Sequence, residues 1–289
     1  MELSHTAKRS GRLSSFLRGE MGMSAGLVNR LKWKERLLVN GQPRHTDYAV
    51  CPGDVITALL EEPELNYPAE QGELTVLYED AHLLAVDKPA GMLIHPSRSR
   101  NTGTLANLVA GYYQQTGQAS AFHPITRLDR DTFGIVLLAK NAHIHALLNQ
   151  AHTDGTLVKT YHAWVFGSPD ADSGIIDAPI ARRPLPSLLR CVSADGKPSV
   201  TEFSVLQRQE NCSKLSLRPI TGRTHQLRLH CAHMGFPILG DPQYGSEESR
   251  RFSEDMGLKH QILCAASLSF SHPVTGEAVQ LVSQMAAKL

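Results

Sequence analysis

No run of apolar residues in this chain approaches the ~18 that a membrane helix needs, so no spanning helix is expected. The opening residues, Met1-Glu2-Leu3-Ser4-His5, lack the hydrophobic core of a secretory signal. Cysteine is sparse and odd in number. Cys51, Cys191, Cys212, Cys231 and Cys264 lie far apart, and no CxxC pair occurs. That pattern argues against a disulfide framework and points to free thiols in a reducing compartment, the cytoplasm. The GxGxxG, P-loop and HExxH patterns are all missing, so neither nucleotide-cofactor fingerprint is met. No internal repeat of useful length is visible. With 42% hydrophobic and 20% charged residues, the composition is that of a folded globular chain. A mostly disordered protein, a collagen-like repeat and a coiled coil are excluded. The 289 residues suffice for one large domain, or a large domain and a small one.

What the chain does have is an uneven charge. The net charge is only +1, but residues 1–60 hold nine Lys and Arg against five Asp and Glu, and the remainder holds 20 against 23. A small basic head on a near-neutral body suits contact with phosphates. A solvated surface that happens to be basic is the plainer alternative.

Residues 12–60 read as a small unit. Leu13, Phe16 and Leu17 fall at helical spacing, as do Leu27, Leu31 and the nearby Trp33. Leu37-Leu38-Val39 is a short strand before an Asn40-Gly41 turn, and Pro52-Gly53-Asp54 turns into the strand Val55 to Leu60. Residues 61–73, with Pro63, Pro68 and many carboxylates, read as a linker. The second unit, 74–289, opens with strands at 74–78 and 83–87. Helices are expected at 104–115 and 142–152. The apolar run Gly134 to Ala139 has the pattern of a buried strand, and Val158 to Phe166 is rich in branched and aromatic residues. Further strands are expected at 200–207, 213–219 and 263–270, and a surface loop or short exposed helix at 246–260. Many strands with few helices between them argue for an α+β domain with flanking helices.

Four segments hold residues suited to chemistry. In His123-Pro124-Ile125-Thr126-Arg127-Leu128-Asp129-Arg130-Asp131-Thr132-Phe133-Gly134, two arginines and two aspartates precede the buried strand. Guanidinium neighbours favour an ionised carboxylate, which can serve as nucleophile or general base. A turn held by local ion pairs is the bland alternative. In Thr221-Gly222-Arg223-Thr224-His225-Gln226-Leu227-Arg228, a turn leads into a helix whose buried stripe is expected to be Leu227, Cys231 and Met234, with Gly235 ending it. Arg228 points off that stripe at the core edge, where an arginine usually meets a carboxylate or phosphate. His225, His230 and His233 invite a metal reading. However, His225 lies roughly 140° around the helix from His230 and no acidic ligand is nearby, so no metal is expected. In Lys159-Thr160-Tyr161, a ring beside an amine can stack on a base while the amine meets a phosphate. Plain cross-strand packing is the commoner use of such a tyrosine.

Together these segments resemble the RluA-type RNA pseudouridine synthases over residues 74–289. Lys88-Pro89-Ala90-Gly91 with His95-Pro96, Arg127 to Thr132, Lys159 to Tyr161, and Gly222 to Arg228 occur in the family's order. Pro237-Ile238-Leu239-Gly240-Asp241 with Tyr244-Gly245, then His272 to Glu277, follow them. Each motif is weak alone, and six in register are highly specific. Three positions depart from the family: Thr126 and Cys264 stand where histidine is usual, and Phe133 where serine is usual. Residues 12–60 resemble, more loosely, the alpha-L RNA-binding domain also found in ribosomal protein S four.

The resemblance implies a mixed, mainly antiparallel sheet with flanking helices, preceded by a small α+β RNA-binding domain. It implies isomerisation of uridine to pseudouridine within structured RNA without cofactor or energy source. Asp129 is then the essential nucleophile or base. Tyr161 stacks on the everted uracil, and Arg228 pairs with Asp129. Arg127 occupies the vacated position in the RNA, and Lys159 and Arg223 are candidates for binding the strand. Leu128 and Leu229 are candidates for the apolar pocket wall. Ribosomal RNA is the expected substrate and transfer RNA the other option; a monomer acting in the cytoplasm, away from membranes, is expected. The rival readings are a catalytically inactive RNA-binding protein of the same fold, and a hydrolase using Asp129 with a nearby histidine. The hydrolase lacks a second carboxylate at a recognisable position.

Overall fold

The computed structural model describes residues 2–60, 67–97, 101–184, 187 and 189–288. Alternation along the chain explains its two halves. In the head, strand β1 (Glu2–Thr6) pairs with β4 (Val55–Leu59), which pairs with β2 (Leu37–Val39), which pairs with β3 (Gln42–Pro43), all antiparallel. The β2–β3 hairpin turns on Asn40 and Gly41, both with positive φ, as a tight turn between twisted strands requires. Helix α1 (Ala25–Trp33) is capped by Ser24, whose hydroxyl accepts the Leu27 N–H. Val28 and Leu31 form its buried side, whereas Trp33 is 82% exposed and contributes nothing to the core that its spacing suggested. Strand β1, which lies ahead of the range 12–60, completes this sheet through its pairing with β4.

The body is built on a ten-stranded mixed sheet. We label β5 (Val76–Glu79), β6 (Leu83–Lys88), β7 (Phe133–Ala139), β8 (Val158–Phe166), β9 (Ser173–Asp177), β10 (Val200–Arg208), β11 (Cys212–Pro219), β12 (Leu263–Ser271) and β13 (Ala278–Val282). Their order is β9-β10-β11-β8-β12-β7-β6-β5; β13 is added on β12, and the short strand His123–Pro124 on β7. Every pairing is antiparallel except β7 with β12. The sheet is thus mixed and mainly antiparallel, with α2 (Leu105–Gln115), α3 (Ala142–Thr153), α4 (Gln226–His233) and α5 (Glu247–Asp255) as the principal flanking helices.

Strand β7 and the Leu83–Val86 part of β6 are apolar because both sheet faces are covered. Leu83, Ala85, Ile135, Leu137 and Ala139 face a core shared with the head, while Leu84, Val86, Val136 and Leu138 face the core beneath α2. Each fully buried leucine here contributes roughly 1.5–3 kcal/mol relative to exposure. The shared core also takes in Ile144 and Leu148 of α3. His143 Nε2 meets the Met21 carbonyl at 3.0 Å, so the head is packed on α3.

Of the stretch read as a linker, residues 61–66 lie outside the described residues. The part that follows lies against α2. The Glu70 N–H donates to Asn107 O at 3.0 Å, Asn107 Nδ2 donates to Pro68 O at 2.9 Å, and Glu70 accepts the Gly103 N–H at 2.8 Å.

Gly134 joins the loop that carries Asp129 to β7. Its φ is +105°, and a Cβ there would lie 2.4 Å from the Ala265 carbonyl oxygen, across the parallel pairing. Gly134→Ala is expected to lower the free energy of unfolding by about 2–4 kcal/mol, from backbone strain plus overpacking. Equilibrium urea denaturation checks this.

Burial lowers the pKa of nine histidines, His82, His95, His123, His143, His145, His152, His162, His225 and His230. Each prefers neutrality when folded, so the unfolded chain binds more protons below its ordinary value near 6.5. Stability is expected to be complete above pH ~6.5 and to fall as pH drops below it, with protons taken up on unfolding. Denaturant midpoints measured from pH 8 to pH 5 check this; a flat profile contradicts it.

Candidate active site

A cleft of about 740 Å³ opens between the loop before β7, α3, the start of β8 and the turn into α4. Arg127, Asp129, Lys159, Tyr161, Arg223 and Arg228 all line it.

The loop carrying Asp129 is pinned at four points. Thr126 Oγ1 accepts the Leu137 N–H at 3.0 Å, and the Thr132 N–H reaches the Asp129 carbonyl at 3.2 Å. Gln261 Nε2 donates to Thr132 Oγ1 at 2.6 Å. Lys88, fully buried at the end of β6, donates to Arg130 O at 3.0 Å as well as to the carbonyls of Pro89 and Met92. Burial pulls the Lys88 pKa down to about 8, against the fields of Asp131 and Asp129. At Thr126 and Cys264, where the family usually has histidine, the side chains still have partners. Thr126 holds the loop, and the Cys264 thiol donates to Ser283 Oγ at 3.7 Å in a buried cluster against which Phe133 packs.

Arg228 is the electrostatic centre. Its Nε and Nη2 form a two-pronged pair with Asp241 at 2.7 and 2.8 Å, and Nη2 also donates to Gln243 Oε1 at 2.8 Å. Nη1 donates to Asp129 Oδ2 at 3.1 Å. Burial disfavours the Arg228 charge, but Asp241 and Asp129 more than compensate and raise its pKa. Asp129 Oδ1 accepts no hydrogen bond from any described residue, and the side chain is 30% exposed in the cleft wall. The carboxylate is therefore held at one oxygen, with the other unengaged.

Tyr161 projects from β8 and is buried; its hydroxyl has no hydrogen-bond partner among the described residues. Desolvation raises its pKa, and the negative charge of Asp129 adds to the effect. Arg127 is exposed and makes no hydrogen bond or ion pair to any described residue. Arg223 donates to the Pro198 carbonyl at 3.2 Å.

The three histidines of the α4 region separate. His225, in a left-handed conformation with φ +58°, places Nε2 3.8 Å from Asp129 Oδ2 and Nδ1 2.8 Å from Tyr244 Oη. His230 is a core residue between Thr201 Oγ1 and the Ala178 carbonyl, and His233 is exposed at the helix end. Among the described residues no group of three metal-ligating side chains forms. Met234 is 42% exposed, so the buried stripe of α4 is Leu227 and Cys231 without it. Leu128, Leu227 and Leu263 line the cleft, whereas Leu229 is buried elsewhere in the core.

A family model described as RNA pseudouridylate synthase matches residues 82–233, which contain the loop, the β8 motif and α4. The chain belongs to the RluA-type RNA pseudouridine synthases. Bacillus subtilis YlyB, named an uncharacterized RNA pseudouridine synthase, is 37% identical over 278 residues, spanning 94% of this chain and 90% of YlyB. The Vibrio cholerae ribosomal large subunit pseudouridine synthase C is 31% identical over 290 residues, spanning 96% of this chain and 90% of its own. Among solved structures, human RNA pseudouridylate synthase domain containing 1 aligns with a TM-score of 0.61 at 26% identity, over 74% of this chain and 84% of that one. The synthase is accordingly an isomerase, and its substrate is RNA.

Sequence reasoning quoted Asp241 and Tyr244 within a motif but gave them no role. The signal was Gly240-Asp241, since a buried aspartate after a turn glycine in an arginine-bearing family needs a cation. Gly240 has φ +73°, and a Cβ there would lie 2.1 Å from the His260 carbonyl oxygen, which fixes Asp241 beside Arg228. Asp241→Asn leaves Arg228 buried with a single carboxylate. It is expected to cost about 3 kcal/mol of stability and to lower turnover with Asp129 intact. Urea denaturation and single-turnover kinetics check both; an unchanged turnover contradicts the positioning of Asp129 through Arg228.

Proposed function

We propose that this synthase isomerises uridine in ribosomal RNA, with Asp129 as nucleophile or base and Tyr161, Arg228 and Arg127 in supporting roles. The observation that carries this reading is the Arg228–Asp129 contact of 3.1 Å, at the wall of a cleft large enough for a nucleoside, with Asp129 Oδ1 unengaged. The reaction breaks the bond from ribose to ring nitrogen, turns the uracil and joins ribose to ring carbon 5, whose proton leaves. The base must first leave the RNA stack, at a cost of a few kcal/mol. Arg127, exposed and free of partners among the described residues, is suited to fill the vacated space. Tyr161 offers its ring to the everted uracil. Arg228 keeps Asp129 ionised and aimed. Arg223 and Lys159 face the strand. The detached uracil has to stay trapped, and Leu128, Leu227 and Leu263 supply an apolar wall for that.

The head, with its excess of Lys and Arg, serves as an alpha-L-type RNA contact. Ribosomal RNA as target draws on the large-subunit enzymes among the relatives, and action on ribosomal RNA goes with a monomer working in the cytoplasm. No helix among the described residues is long and apolar enough to cross a membrane.

Ribosomal RNA carrying tritium on uridine carbon 5 is expected to lose label to water with the wild-type chain. Asp129→Asn is expected to abolish release while preserving RNA binding. Release by Asp129→Asn overturns the role of Asp129, and free uracil in solution indicates hydrolysis instead. Tyr161→Phe is expected to keep affinity within about twofold while turnover falls, because the ring is retained and the hydroxyl is lost. A large loss of affinity contradicts stacking.

A further inference from the structure

Two lysines in the body are buried and satisfied by the protein, whereas a third, Lys159, is half-buried in the cleft wall. Lys88 donates to three carbonyl oxygens. Lys140 reaches Glu79 at 2.7 Å, the Asp80 carbonyl at 2.6 Å and Gln118 Oε1 at 2.8 Å. Lys159 differs. Its only partner among the described residues is another base, His152 Nε2, at 2.5 Å. An ammonium has three donors, so two of them have no acceptor among the described residues, and no carboxylate of those residues balances the charge. Partial burial of a cation without a counter-ion is unfavourable, and it pulls the Lys159 pKa down to about 8. His152 is likewise lowered, by burial and then by Lys159.

Both groups line the cleft that holds Asp129. His152 lies in the last turn of α3, where His145 and Asn149, seven and three residues earlier, share its face and also line the cleft. A Cβ on Gly222 would lie 3.7 Å from His152 Cε1, so the turn bearing Arg223 comes close to the imidazole. Lys159 is two residues before Tyr161 on β8, roughly 7 Å along the strand and on the same face. A cation without a counter-ion, beside a chargeable imidazole and at that offset from the base-stacking ring, lacks only an anion.

We propose that Lys159 and His152 form a binding subsite for a backbone phosphodiester of the substrate RNA, next to the nucleotide that enters the cleft. This rests on the RNA-directed reading of the cleft and adds His152 to it. The phosphate supplies the missing counter-charge and accepts the two idle Lys159 donors. His152 holds the lysine in place and becomes a second donor when protonated.

The test uses the full chain and a nonamer of oligouridylate, with binding followed by fluorescence anisotropy across salt concentrations. Lys159→Met is expected to weaken binding about tenfold at low salt, as loss of a charged hydrogen bond does. It is also expected to lower the slope of log affinity against log salt by about 0.7, the value for one phosphate on a single strand. Lys159→Arg is expected to keep the slope. His152→Gln is expected to weaken binding in the wild-type background and to add nothing in Lys159→Met. The urea midpoint of Lys159→Met is expected to stay level or rise, since a half-buried charge without a counter-ion is removed. A salt slope unchanged in Lys159→Met overturns the subsite, and independent additive losses from the two substitutions overturn the pair. Tritium release is read separately. A wild-type chain that releases label while the Lys159→Met slope is unchanged loses the subsite alone. A chain that binds through Lys159 while Asp129→Asn still releases label keeps the subsite and loses the role of Asp129.

Discussion

One guanidinium joins two carboxylates that lie far apart in the chain. Asp241 is 13 residues from Arg228 and binds it bidentately; Asp129 is 99 residues away and takes the remaining nitrogen. The division is unequal, and the inequality matters. Asp241 is almost fully buried and pays most of the debt of desolvating the arginine. Asp129 is thereby spared from a closed ion pair and keeps one oxygen without a hydrogen bond from any described residue. Had Arg228 no second partner, Asp129 would be its sole counter-ion and would be drawn in fully.

The rest of the site serves this arrangement. Lys88 holds the back of the Asp129 loop through a carbonyl, not a carboxylate, so it fixes the backbone without competing for the Asp129 side chain. Tyr244 lies under the Arg228 guanidinium at 5.0 Å from ring centroid to Cζ, accepts the Arg190 N–H and meets His225. The α4 turn is thus tied to the loop after it, and His225 is held near Asp129. The backbone around the Asp129 carboxylate is thus pinned from several directions.

Much of the fold was legible where burial on both faces leaves unbroken apolar runs, as in β6 and β7, or where a turn residue demands positive φ, as at Asn40, Gly41 and Gly53. Strand β1 was not, because only Leu3 in it is buried, and neither was the edge strand β9, whose exposed Ile175 carries no alternation. Trp33 misled because the helix ends at it, and its ring falls outside the packed side. In the site, residues carried by compact motifs were legible, and all six candidates line one cleft. Asp241 and His152 escaped notice for a physical reason. Their significance lies in what they neutralise or fail to neutralise, and spacing along the chain does not encode that.

Helix α3 has two sides with different neighbours. One lies against the head, through His143, Ile144, Leu147 and Leu148, and the other lines the cleft with His145, Asn149 and His152. The basic head and the Asp129 cleft are therefore mounted on the two sides of a single short rod. The spacing between them is set by the packing on that one helix, as a fixed-jaw caliper sets its gap.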